Sequence, residues 1–406
     1  MTLRLTGARI WDGTASATSA EAADLVIEGG RIAALGFPPE GEKASGWSLP
    51  AGAVAIPGLI DAHVHMDLDP HLMAPDDQFK ASRVDRDLRM IGRARAMVQA
   101  GITTARDLGA GEWRELALRD AVARGELPGP RLLCAGQPLT IAKGHCHFWG
   151  GVAEGADEQA EVVRRQLEHG VDWVKIMATG GYFTKGSGVD RAQFSAEEIR
   201  RAVGQASEAG LSVAAHCHGK AGIRNAARGG VRTLEHCSFA SSKGYGADYD
   251  ADIAKEVASQ GAWVSPTVNG NWLRRMEKDG KPTDFFRNMQ KVLGALGEAG
   301  VPLMASTDAG IPGVLHHGLA AGLRALEKYT GRSPVDVLRT ATSDSARGLG
   351  IEDVCGRLAP GLSADVLVLA ADPLEDLARL EEPLLVLAAG RVVYRDASLP
   401  DPPPGS

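Results

Sequence analysis

An α/β fold, built as a (β/α)8 TIM barrel with a small domain assembled from both chain ends, is the fold class the sequence predicts. Three observations predict it. Between residues 58 and 350, short apolar runs with polar tips alternate with stretches of helical period. Eight such runs fit into about 290 residues, the size of one barrel. The first run ends in histidines, where a doubly wound sheet would carry a glycine-rich phosphate turn.

Residues 1–57 read as β structure. The runs "LRLTGARIWDG" and "ADLVIEGGRIAALG" are short strands separated by glycine-rich turns. The barrel strands are then "GLIDAHVHM" (58–66), "ITTARDLG" (102–109), "RLLCAGQPLT" (131–140) and "DWVKIMATG" (172–180). "LSVAAHCH" (211–218), "VRTLEHCSF" (231–239), "GAWVSPTV" (261–268) and "VPLMASTDAG" (301–310) follow. Helices such as "DEQAEVVRRQLEHG" and "SAEEIRRAVGQASEAG" lie between them; the second opens on Ser195 with Glu198 three residues on, a capping box. Residues 351–406 return to β structure in "GRLAPGLSADVLVLAAD" and "PLLVLAAGRVVYRD" before a loose tail, "LPDPPPGS". The chain ends thus form one small sheet domain, in parts 1–57 and 351–406, around a barrel at 58–350.

Composition excludes several classes. The formal net charge of −7 and pI near 5.9 argue against nucleic acid as a partner. No apolar run approaches the roughly 18 residues of a membrane span. The start, "MTLRLTGARIWDG", lacks the apolar core of a secretory leader. Five cysteines without a CxxC give neither a disulfide framework nor a zinc knuckle, so each reads as a small buried hydrophobe in a cytoplasmic protein. A homo-oligomer is compatible with the sequence, which does not fix that state.

The chemistry-bearing residues cluster at strand ends, where a barrel holds its active site. His63 and His65 end the first strand, His145 and His147 follow the third, and Lys175 lies on the fourth. His216 and His218 end the fifth, His236 the sixth and Asp308 the eighth. Composition alone would give roughly 0.3 HxH pairs, and three occur. Residues i and i+2 of a strand point to one side, so His63 and His65 converge. Histidines with one carboxylate and an open position suit a catalytic divalent ion, which acidifies its water. Lys175 is out of place there, because a buried ammonium beside a cation is repelled. Pairing with a carboxylate or conversion to the anionic N6-carboxylysine by CO2 removes the conflict.

These residues, with "LTGARIWDG", "IPGLIDAHVH" and "GRLAPGLSADVLVL", resemble the amidohydrolase superfamily over essentially the whole chain. The segments "VKIMATGG", "QFSAEEIRRAV", "AAHCHGKAGIRNAARGGVRTLEHCSF" and "STDAG" are similar to a narrower group. It contains Xaa-Pro dipeptidase-like and carboxypeptidase-like enzymes and ochratoxin-hydrolysing amidases; relatives are often labelled imidazolonepropionase-like. The resemblance implies a metal-dependent hydrolase whose terminal sheet domain is a β-sandwich. It implies two divalent ions, best suited by zinc, with cobalt or manganese accepting the same ligands. His63, His65 and Asp308 would hold the buried ion, His216 and His236 the exposed one, and carboxylated Lys175 would bridge them with a hydroxide. Asp308 would also pass the hydroxide proton to the leaving amine.

Further roles are assigned residue by residue. His145 would donate to the substrate carbonyl or the tetrahedral oxyanion. His218 reads as a substrate contact and catalytic neighbour, or as a structural histidine. His147 reads as a substrate contact, with loop packing as its alternative. Tyr182, in a glycine-rich loop, would meet substrate or pack over the mouth, and Lys185 and Arg191 read first as solvated loop charges, with a substrate carboxylate as the alternative partner. His316 and His317 are placed for the rim, and Phe148, Trp149 and Trp272 for an apolar wall. The expected reaction is hydrolysis of an amide C–N bond in an N-acyl amino acid, dipeptide, or related amide or carbamate. Rivals are a cyclic amidohydrolase or deaminase of the imidazolonepropionase type, which lacks the strand-four lysine, and a non-catalytic barrel scaffold.

Overall fold

The computed structural model describes residues 2–36 and 45–400; the expected loose tail from 401 onward lies outside the described residues. The chain is α/β. It opens with β1 (Thr2–Ile10), β2 (Ala23–Glu28), β3 (Arg31–Gly36), β4 (Ser45–Ser48) and β5 (Val54–Pro57). Then come β6 (Leu59–Val64), α1 (Arg83–Gln99), β7 (Ile102–Asp107), α2 (Arg114–Arg124), β8 (Arg131–Cys134), α3 (Ala156–Glu168) and β9 (Trp173–Met177). The alternation continues through α4 (Ala196–Glu208), β10 (Ser212–Cys217), α5 (Lys220–Gly229), β11 (Thr233–His236), α6 (Ala251–Ser259) and β12 (Trp263–Ser265). After a small hairpin, β13 (Glu277–Lys278) and β14 (Lys281–Pro282), come α7 (Asp284–Glu298), α8 (Leu319–Thr330), α9 (Pro334–Thr340) and α10 (Ser343–Leu349). β15 (Val366–Leu369), β16 (Pro383–Ala388) and β17 (Arg391–Arg395) close the chain.

Strands from both chain ends share one sheet, ordered β17-β16-β15-β5-β1-β2-β3, with β4 beside β1. The register is concrete: Leu367 of β15 faces Ile56 of β5 in an antiparallel pair. Leu5, Leu25, Trp47, Val366 and Leu385 form its separate apolar cluster.

The central strands are parallel and form two sheets, β6-β7-β8 and β12-β11-β10-β9. Backbone bonds reach across the gaps. Leu139 N donates to Lys175 O at 2.8 Å, Met304 N to Val264 O at 2.9 Å and Asp308 N to His63 O at 2.9 Å. Every expected barrel strand is shorter than the sequence suggests, the third and the eighth most of all. Only Arg131–Cys134 of 131–140 is a strand, and 301–310 contributes isolated bridges at Leu303 and Ala309. The reason is local. Pro138 and Pro302 lack a ladder donor, and Asp308 at φ +61° and Gly310 at φ +106° turn the backbone out of the ladder.

Helices cover the strands with their apolar stripes, so the strands are buried along their length, as parallel strands need. α4 starts at the expected capping box: Ser195 Oγ accepts from Glu198 N, and Ser195 N donates to Glu198 Oε2 at 2.8 Å. Such a cap is worth about 1 kcal/mol. α5 buries Ile223, Ala226 and Ala227 and comes close at Gly222, where a Cβ would sit 2.1 Å from Thr179 Cγ2. The five cysteines are free and buried. Among the described residues no helix is long and apolar enough to cross a membrane.

Candidate metal centre

The C-terminal ends of the parallel strands open into a cavity of about 390 Å³. It is lined by His63, His65, His145, Lys175, His216, His218, His236 and Asp308, so the structure brings together every residue expected to ligate. Tyr182 also lines it and stacks on Tyr245, with ring centroids 5.2 Å apart. Trp149 and Trp272 form part of the wall, as the sequence suggests, while Phe148 packs on Phe79 outside the lining.

Three ligand atoms converge at the end of β6. His63 Nε2 and His65 Nε2 lie 3.3 Å apart, and Asp308 Oδ1 is 3.4 Å from the first and 3.3 Å from the second. The opposite nitrogens are occupied. His63 Nδ1 sits 2.9 Å from Glu235 Oε2, and His65 Nδ1 sits 3.0 Å from the carbonyl of Gly109. A carboxylate and a carbonyl can only accept, so each Nδ1 carries the proton and each neutral ring turns a bare Nε2 inward. Two nitrogen lone pairs and a carboxylate oxygen then face one another, a set of acceptors that repel each other. A cation resolves that repulsion. Ligands about 2.0–2.1 Å from a tetrahedral ion lie about 3.3–3.4 Å from each other, which is the spacing found.

A second group is formed by His216, His218 and His236. His216 Nε2 donates to Gly180 O at 3.1 Å, which leaves its Nδ1 facing His236 Nε2 at 2.9 Å. His236 Nδ1 is held by Thr267 Oγ1 at 2.9 Å and His218 Nδ1 by Ser238 Oγ at 2.8 Å. The inclusion of His218 goes beyond the sequence reading, which took one ligand from this strand.

Electrostatics keep the rings neutral. Burial, reinforced by Lys175, lowers His63 to about 4. Burial with neighbouring imidazoles holds His216 and His236 well below the ordinary histidine range, and burial brings His218 to about 4. Burial acts against the Asp308 carboxylate, yet His63, His65 and Lys175 hold it well below the usual range. Lys175 is 1% exposed. Burial lowers it to about 8, with Glu235 acting in the other direction. It forms no ion pair among the described residues, so pairing with Asp308 is not how this lysine is accommodated. Its charge is felt in both imidazole groups, with which it lines the same cavity.

The backbone here is strained. His236, Cys237, Phe239, Thr267 and Asp308 all have positive φ between +43° and +67°. For non-glycine residues that costs of order 1 kcal/mol or more each, and such strain gathers at functional sites. It takes the backbone at His236 and Asp308 out of extended geometry. Asp308 caps no helix among the described residues, since the next one begins at Leu319.

Other expected residues fall elsewhere. His147 is turned outward by the 3-10 turn His147–Trp149, its Nδ1 on Gly144 O, and does not line the cavity. Lys185 and Arg191 are exposed and also outside the lining. His316 is buried, with Nε2 3.0 Å from the His65 carbonyl, while His317 is exposed. His145 is buried, lines the cavity 4.3 Å from the His216 ring, and has a buried Nδ1 without a hydrogen-bond partner.

Sequence reasoning missed the support beneath the ligands. Glu235 joins His63 to Arg106, whose Nη2 lies 2.9 Å from Glu235 Oε1; both side chains are fully buried. Asp61 accepts from Thr307 Oγ1 at 2.6 Å and so ties β6 to the segment carrying Asp308. The available signal was a charged residue inside an otherwise apolar strand, in "LIDAH", "TARD" and "TLEH". Arg275 was also missed: it lines the cavity from the loop after β12.

Residues 54–393 match the model described as the amidohydrolase family. Ochratoxinase of Aspergillus niger is 28% identical over 360 residues, covering 82% of this chain and 73% of that protein. A crystal structure described as an amidohydrolase superposes with a TM-score of 0.85 at 29% identity, covering 98% of this chain and all of the other. A prolidase complexed with N-methylphosphonate-L-proline gives 0.84 at 26%, with the same coverage.

Proposed function

The chain belongs to the amidohydrolase family, and from that premise we propose a two-ion centre that hydrolyses amide C–N bonds. Metal-dependent hydrolysis of such bonds is the activity of the protein; the ion count, the ligand roles and the substrate are the proposed part. The triangle of His63, His65 and Asp308 ligand atoms, with edges of 3.3–3.4 Å, carries the reading. In it, His63, His65 and Asp308 would hold one ion, His216 and His236 the other, and Lys175, as N6-carboxylysine, would serve both. Zinc suits this nitrogen-rich set. Bound there, the ions would polarise the scissile carbonyl and acidify the attacking water.

The chain's own residues do the rest. Asp308 takes the proton of the attacking water and passes it to the leaving amine. His145 points a ring nitrogen at the oxygen that gains charge in the tetrahedral state. His218, oriented by Ser238, contacts the substrate beside it, and Tyr182 closes the open side. Substrates are N-acyl amino acids, dipeptides, or related amides and carbamates. The architecture behind this is a closed (β/α)8 barrel at 58–350 with a β-sandwich from 1–57 and 351–406. The protein works in the cytoplasm on small molecules, without nucleic acid or membrane, alone or as a homo-oligomer.

The test is a panel of N-acyl amino acids, dipeptides and aryl amides offered to metal-loaded protein. Metal-dependent cleavage of a C–N bond in the panel is expected. Turnover restricted to cyclic amides or amino-heterocycles would favour the imidazolonepropionase type. Bound metal without turnover would favour a scaffold.

A further inference from the structure

The cavity that holds the candidate metal centre carries one cation that the centre does not use. Arg275 lines it, and the other charged side chains of the lining are Lys175, Asp308 and the histidines. Among the described residues no carboxylate pairs with Arg275, whereas nearby Arg287 is paired with Asp284. Its guanidinium is held in place by aromatic faces instead. Its Cζ lies 3.4 Å from the centroid of the Phe285 ring and 5.7 Å from that of Tyr245. The Phe285 face fixes the plane of the fork while leaving its N–H groups unused.

A path of rings leads from this cation to the metal ligands. Tyr245 stacks on Tyr182, its centroid lies 5.6 Å from that of His218, and His218 stacks on His236 at 4.4 Å. Two ring contacts therefore separate Arg275 from the second imidazole group. Much of the rest of the wall is apolar, including Trp149, Met177, Phe183 and Trp272, with Thr267, Asn269 and Asn271 as neutral polar members. A planar, preoriented and unpaired guanidinium in such a cavity matches a planar anion with two oxygens. Lys185 and Arg191, the two loop charges weighed from the sequence as alternatives for this task, do not line the cavity.

We propose that Arg275 is the specificity-determining residue of the site, receiving the free carboxylate of an N-acyl amino acid or dipeptide with apolar side chains. This rests on the amide-hydrolase reading above and narrows its substrate class. Neutral ureas, carbamates and simple aryl amides lack the group that Arg275 binds and are poor substrates.

Matched pairs of substrates test this on the metal-loaded full chain. N-benzoyl-phenylalanine is compared with N-benzoyl-2-phenylethylamine, which has hydrogen where the first has its carboxylate, and further pairs vary the acyl group. Release of the acyl product is measured for the native protein and for Arg275→Met and Arg275→Lys, with metal content measured alongside. The native protein is expected to prefer the carboxylated member by about 10- to 100-fold in kcat/KM, mainly through KM. Arg275→Met brings that ratio near one, and Arg275→Lys, which keeps the charge but loses the fork, falls between. Equal use of both members by the native protein, or a ratio untouched in Arg275→Met, overturns the assignment of Arg275 alone. Hydrolysis of neither member of any pair by the metal-loaded native protein overturns the amidase reading and this assignment with it.

Discussion

Replacing Glu235 by glutamine changes one atom in the interior and is expected to weaken metal binding more than folding. Glu235 Oε1 accepts from Arg106 Nη2 at 2.9 Å and from Thr233 Oγ1 at 2.6 Å, and Oε2 accepts from His63 Nδ1 at 2.9 Å. Glutamine has one oxygen for these two positions. Directed at Arg106 and Thr233, it keeps a charge-assisted bond worth about 1.5–3 kcal/mol; directed at His63, it keeps a neutral one worth about 0.5–1.5 kcal/mol. The oxygen therefore stays with Arg106, and the amide nitrogen meets His63. Nδ1 must then accept, and the ring proton moves to Nε2, the atom that faces His65 and Asp308. Loss of such an orienting partner costs about 10- to 100-fold in metal affinity. Zinc competition against a chromogenic chelator measures this, and urea unfolding of the apo-protein reports the folding cost. Unchanged zinc affinity in Glu235→Gln would refute the argument that this carboxylate sets the tautomer of His63.

Three further outcomes follow from the same structure. Glu115 is fully buried with both carboxylate oxygens unpartnered, and burial, then Asp107, pushes it up to about 8 from 4.5. The folded chain thus keeps a proton that the unfolded chain releases, so its stability is full below about pH 4.5 and declines as pH rises to about 8. Glu115→Gln should flatten that decline in urea midpoints between pH 5 and 9, and an unchanged slope would contradict it. A Cβ on Gly181 would sit 2.4 Å from the His145 ring, so Gly181→Ala should displace that ring and lower kcat by about 100-fold with metal content retained; full kcat would remove His145 from the chemistry. Lys175→Ala should lose one bound ion and at least ~100-fold in activity, partly restored by small carboxylic acids, whereas retention of both ions would exclude a bridging role.

The gathering of the candidate ligands in one cavity was legible because it obeys short rules. A period of two puts His63 beside His65, and strand order puts His216, His236 and Asp308 at the same end. What was not legible depends on partners far apart in sequence. Glu235 looks like an isolated charge until Arg106 and His63 are folded around it. Arg275 follows a short strand in a loop without a motif, and its role depends on Phe285 and Tyr245 arriving from other segments. Of the two readings of His147 the structure fits loop packing, because a 3-10 turn after the strand rotates the side chain outward. The eighth strand was drawn too regular because the positive φ of Asp308 and Gly310 leaves no mark in hydropathy.

The most direct test of the two-ion hydrolase is stepwise metal restoration. Apo-protein is titrated with zinc, and hydrolysis of the best substrate in the amide panel is followed against ions bound per chain. The account predicts that activity rises until two ions are bound per chain and then stays level. A plateau at one ion, or full hydrolysis by metal-free protein, would contradict it.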